Sequence, residues 1–254
     1  MNKPSVSGSR LQSVLVGDLF CEGFEASVPT HGTVTHERLI GGIGVVYGEI
    51  GAGGERDGRY ATVLCSELWK RDDATAVSHA VAASLEWLMG EAKPAVMLVC
   101  ALGNPRITAD ALGTASAELI PAGVTPSGRV FVIKTGVPAA TGIPTEETVR
   151  MFASHTGAEL AVCIDSLAAL SYERLGGVVQ LTDCGISPGS GVSPANPAIN
   201  AATVGVPVIS VGIPTVIRTA SGLICTCAAT DELIRRGAAV IAGGLNEYLY
   251  NKGR

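Results

Sequence analysis

An α/β fold with a mostly parallel central sheet is predicted by three observations. Apolar segments of about 5–7 residues alternate with stretches of helical periodicity, the signature of β-α-β units. Hydrophobic residues make up 47% of the chain and charged ones only 16%, as suits a sheet covered on both faces. The 254 residues, 32 of them glycine, fit one domain with many tight connections. The chain is therefore read as a single domain over 1–254, with a flexible polar tail at 1–10.

Strands are expected at SVLVGDL (13–19), RLIGGIGVVYGEI (38–50), YATVLCS (60–66), AVMLVCAL (95–102), RVFVIK (129–134), ELAVCID (159–165), VVQLTD (178–183) and PVISVGI (207–213). Each is rich in branched apolar residues and is bounded by Gly, Pro or charge. Residues 73–89 predict a helix, with Asp73 as N-cap and Val77, Val81, Leu85 and Leu88 on one face. His79 and Glu86 fall on its other face. Further helices are expected over Glu146–His155 and, after Thr230, over Asp231–Tyr250, where Gly243-Gly244 reads as a weak point. GEIGAGGERDGRY (48–60) reads as a hairpin turn or loop, since its glycines and charges offer nothing to a core.

A net charge of −5 and the lack of a Lys/Arg cluster interleaved with aromatics argue against nucleic acid and leave room for a basic partner. Seven cysteines, an odd number scattered through apolar runs, suggest buried thiols in a reducing compartment. Cys225 and Cys227 are not spaced as a CxxC motif. No apolar run approaches the ~18 residues of a membrane span, and the N-terminus lacks a signal-peptide core. A cytoplasmic protein without membrane contact is expected.

In a parallel sheet, sites form beyond the carboxyl ends of strands. ALGNPRITADALG (101–113), IDSLA (164–168) and LTDCGISPGSGV (181–192) place acids there. Each acid also has a structural reading. Asp110 can complement the first turn of a helix beginning near Thr108, Asp165 can cap a short helix over SLAALSYERL (166–175), and Asp183 can make an Asx-turn. Three acids at carboxyl ends in one sheet would converge on one rim, however. Two close carboxylates shift each other's pKa and so supply an acid and a base together, enough to activate water against a peptide carbonyl. The interval from Asp110 to Asp165 can hold strand, helix and strand. Gly189, Ser190 and Gly191 can form a backbone nest for an oxyanion or an extended substrate. Ser190 lies outside a GxSxG elbow, and none of His31, His36, His79 and His155 has metal-ligand spacing. No metal or other cofactor is expected.

At these residues the chain resembles the spore germination proteases, atypical aspartic endopeptidases that degrade small acid-soluble spore proteins. ALGNPRITADALG, IDSLAALSYERLGGVVQLTDCGISPGSGV and VGVPVISVGIPTV carry the resemblance, over roughly Val96 to Val216. It implies a three-layer α/β/α sandwich similar to the hydrogenase-maturation peptidases. It also implies a catalytic pair of Asp110, in T-x-D-A-L-G, and Asp165, in I-D-x-L-A, with Asp183, Gly189, Ser190 and Gly191 shaping the substrate or oxyanion site. A small, basic, disordered protein substrate and a homo-oligomer are expected. Ser187 stands where the family has a His, SPANPAIN follows PGSGV where the family is basic, and the family's pro-segment has no counterpart, so activity at full length is expected. Two alternatives stay open: a non-catalytic peptide-binding relative, and a metal-dependent maturation-type peptidase with Asp110, Asp165 and Asp183 as ligands.

Overall fold

The computed structural model describes residue 19 and residues 34–51, 57–66, 68–70, 73–189 and 197–250. The tail and the expected first strand, apart from Leu19, lie outside the described residues. β1 (Val34–Ile40) and β2 (Ile43–Ile50) form an antiparallel hairpin. Gly41 and Gly42, with φ of +56° and +83°, supply the left-handed pair that a two-residue hairpin turn needs, so the one strand expected over 38–50 is two. β2 pairs with β3 (Gly58–Leu64), Ile50 opposite Gly58, which makes the glycine-rich stretch between them a hairpin connection. Residues 52–56 lie outside the described residues.

After α1 (Ala74–Met89) the chain builds a parallel block. β4 (Val96–Ala101) lies between β6 (Gly128–Lys134) and β7 (Leu160–Ala169), and β7 pairs on its other side with β9 (Val208–Arg218). These three pairings are parallel. The rest are antiparallel: β5 (Gly123–Thr125) on β6, β8 (Val178–Thr182) between β9 and β3, and β10 (Ile224–Cys225) on the end of β9. The sheet is therefore mixed, which corrects the mostly parallel sheet expected. A run of branched residues marks a strand but not its direction. The connection over 170–177 is also shorter than the dozen or so residues of a parallel crossover, so β8 turns back.

Alternate residues of the central strands enter two different clusters. Met97, Val99, Val162 and Ile164 join α1, α2 (Leu112–Ala117) and α6 (Thr230–Tyr250). Leu98, Cys100, Ala161 and Cys163 join α4 (Thr145–Thr156) and α5 (Ala201–Val204), and a short α3 (Pro138–Thr141) precedes α4. This period of two on a doubly covered sheet explains the near-continuous apolar runs. On α1, Val77, Val81, Leu85 and Leu88 are buried as the spacing predicts, and Asp73 holds the N-cap position, its carbonyl accepting from Ala76 and Val77 N–H. α6 runs unbroken through Gly243-Gly244. A Cβ on Gly243 would lie 2.5 Å from Ser78 Oγ, and one on Gly244 2.6 Å from Val81 Cγ1. The pair marks a close approach of α6 to α1, not a break in the helix. No described helix is long and apolar enough to cross a membrane.

Candidate functional site

Asp165 lies within β7, not at its end: the strand continues to Ala169. β4 stops at Ala101, opposite Ile164, while β9 accompanies β7 onward, with Asp165 opposite Gly212. Asp165 is thus the first residue of β7 beyond its β4 partner. The residue is 5% exposed, and Oδ1 accepts the Ser166 N–H at 2.9 Å. The helix expected over 166–175 is absent, with only a 3-10 turn at Tyr172–Arg174. Pairing with β9 overrides the helical preference of SLAAL, so the capping role considered for Asp165 has no helix to serve.

Asp110 closes a 3-10 turn, Thr108–Asp110, that leads into α2. Its carboxylate turns back over the end of β4, where Oδ2 accepts the Asn104 N–H at 2.8 Å. Gly103, with φ +91°, makes this approach feasible: a Cβ there would sit 2.1 Å from the Asp110 carbonyl oxygen and 3.0 Å from Oδ1. Burial pushes the Asp110 carboxyl above its ordinary pKa, with the Asn104 hydrogen bond opposing. At the other end of the motif, a Cβ on Gly113 would meet Leu102 O at 2.4 Å and Ile164 O at 2.5 Å. That glycine lets α2 rest on the peptides entering the rim. The fully buried Thr215 of β9 donates through Oγ1 to Ala109 O at 2.6 Å. Asp110 and Asp165 are therefore brought to one rim, at the end of β4 and on the neighbouring strand.

Asp183 is not. β8 runs antiparallel to β9, with Gln180 opposite Gly212 and Thr182 opposite Ser210, so its carboxyl end points away from the Asp165 rim. Three residues of rise and two strand spacings put the two acids about 14 Å apart. The expected convergence of three acids fails, because it assumed that all their strands are parallel. Asp183 instead holds Arg59: the Arg59 N–H donates to Oδ1 at 2.7 Å and Nε to Oδ2 at 2.8 Å. The same guanidinium donates to the Trp87 and Leu88 carbonyls at the end of α1 and lies over the Trp87 ring. This ties the antiparallel wing to a helix. Gly189 has φ +69°, while Ser190 and Gly191 lie outside the described residues.

His36 stacks on Tyr47, and His79 Nδ1 lies 2.6 Å from Glu247 Oε1. His155 is exposed in the last turn of α4, and His31 lies outside the described residues. Among the described residues, no cluster of three or more His, Cys, Asp or Glu forms a metal site. What the sequence reading missed is the support: Gly103, the Asn104 N–H, Gly113 and Thr215. The two glycines in and beside the T-x-D-A-L-G segment were the available signal, since glycine marks a close backbone approach. Nothing in the sequence marked Thr215.

Residues 30–224 match the family model described as germination protease. A germination protease of Clostridium perfringens (strain ATCC 13124) is 37% identical over 181 residues, covering 66% of this chain and 56% of that protein. One from Geobacillus sp. (strain WCH70) is 33% identical over 216 residues, covering 76% of this chain and 58% of the relative. The chain thus spans a little over half the length of these relatives. Among solved structures, the [NiFe] hydrogenase maturation protease HycI of Thermococcus kodakarensis KOD1 is 20% identical with a TM-score of 0.42, covering 64% of this chain and 99% of that one.

Proposed function

Because this chain belongs to the germination protease family, we propose that it is a peptidase that hydrolyses small protein substrates through Asp110 and Asp165. The observation that carries this reading is their shared rim: Asp110 over the end of β4 and Asp165 on the neighbouring β7, each accepting a backbone N–H, with Asp110 raised above its ordinary pKa by burial. A carboxyl raised by burial keeps its proton to higher pH than an exposed one, and beside an ionised partner it supplies acid and base together. The ionised member takes a proton from water as its oxygen bonds to the scissile carbonyl carbon. The protonated member gives its proton to the amide nitrogen as the C–N bond breaks. The net charge of −5 favours a basic substrate. Helices on both faces of the parallel block support a three-layer reading of this part of the fold.

The test is to incubate the full chain with a small, disordered, basic polypeptide and weigh the products. Asp110→Asn and Asp165→Asn are each expected to remain folded and to lose at least roughly 100-fold in turnover. The double variant should be little worse than either, since residues acting as a unit are not additive. Wild-type turnover in either single variant overturns the pair. Binding without cleavage by the unaltered chain would make it a peptide-binding relative.

A further inference from the structure

Thr215 has no register partner in β7: Leu167 lies opposite Pro214 and Ala168 opposite Val216. It is the extra residue of a β-bulge, a device that re-aims a side chain and is frequent beside active sites. The re-aimed hydroxyl, 0% exposed, donates at 2.6 Å to the carbonyl of Ala109, the residue that leads into Asp110. No water can replace that donor at so buried a position. Behind the bulge, the Thr215 carbonyl accepts from Thr226 Oγ1 at 2.7 Å, and Thr226 Oγ1 lies 2.9 Å from the hydroxyl of Thr230, the first residue of α6. A path of threonines thus runs from the start of the last helix, through the bulge, to the turn that carries the acid.

We propose that Thr215 is the positioning residue of Asp110. The bulge sets the height of the 108–110 turn, so that the carboxyl reaches the Asn104 N–H over the end of β4, and Thr226 locks the bulge to α6. The assignment rests on the acid-pair reading for its catalytic consequence, but not for its geometry. Without the hydroxyl the turn relaxes outward, and the Asp110 carboxyl becomes wetter and less well aimed.

The experiment uses the full chain and two readouts: the titration of the Asp110 carboxyl by carbon NMR, and kcat and KM on a disordered basic polypeptide. Thr215→Val keeps the side-chain shape and removes the donor, while Thr215→Ser keeps the donor. In Thr215→Val the Asp110 titration is expected to move down toward the ordinary carboxylate range, and kcat to fall by roughly 10–100-fold, the scale of a misplaced catalytic group, with KM unchanged. Thr215→Ser should restore both. An unmoved Asp110 titration in folded Thr215→Val overturns the assignment. If the unaltered chain cleaves nothing yet Thr215→Val still shifts the titration, the acid-pair reading fails and the positioning stands. Should Thr215→Val not fold, Thr226→Val removes only the outer lock. It must shift the titration the same way by less, and an unmoved value there overturns the assignment equally.

Discussion

Asp110 shows how burial and a hydrogen bond pull in opposite directions on one side chain. Its pKa is raised by burial, against the opposing Asn104 hydrogen bond. A carboxyl whose folded pKa lies above its unfolded value contributes stability that is complete below the unfolded pKa, near 3.9, and lost as pH rises through the folded one. Asp110→Asn keeps an acceptor for the Asn104 N–H but never ionises. Denaturant titrations should therefore find it more stable than wild type at neutral pH, with the gap closing as pH falls through the raised folded pKa and gone below about 4. A loss of stability at neutral pH that vanishes at low pH would show instead that the charge itself holds the turn. Asp183 predicts a loss of stability instead. Its contacts bind Arg59 to the wing, so Asp183→Asn should cost about 1 kcal/mol in stability, as for a partly exposed charge-assisted bond, and leave turnover near wild type. Loss of turnover at unchanged stability would return it to the site. At this scale the two rim acids were legible from T-x-D-A-L-G and I-D-x-L-A. The true partner of Asp183 was not, because Arg59 lies far away in sequence and meets it only through the pairing of β3 with β8.

Elements were legible where one local signal dominated and illegible where tertiary pairing overruled it. The spacing of Val77, Val81, Leu85 and Leu88 is enough for α1, which the structure begins one residue after Asp73. SLAAL is a good helical string by composition, yet it is strand, because β9 runs alongside it to Ile217. RLIGGIGVVYGEI hid its turn in plain view at Gly41-Gly42. Gly243-Gly244 shows the same confusion in a helix, since the residues that weaken α6 as an isolated segment are those that admit α1. Gly244→Ala makes this measurable. Helix propensity alone favours the alanine by about 1 kcal/mol. The new Cβ would stand 2.6 Å from Val81 Cγ1 and 2.9 Å from Ser78 O, however, and overpacking of this kind costs about 1–3 kcal/mol. The variant should unfold at lower denaturant than wild type. A gain in stability would mean that α6 and α1 can separate freely.

The direction of strands across the whole sheet decides which acids can act together, and it is the property least visible in the sequence. With every strand parallel, Asp110, Asp165 and Asp183 would share a rim and offer three oxygen ligands, the arrangement a metal-dependent peptidase needs. With β8 reversed, only the first two do, and Asp183 is committed to Arg59 on the other side of β9. A hard divalent cation held by two carboxylates alone would keep most of its ligands as water and bind weakly. The carboxyl pair needs no such ion to move a proton. Peptide cleavage by the full chain should therefore be unchanged after prolonged dialysis against a strong chelator, with no stimulation on adding back magnesium, manganese or zinc. Loss of cleavage under chelation, followed by recovery on adding one of these ions, would show that a third ligand reaches the rim. The pair would then have to be redrawn as part of a metal centre.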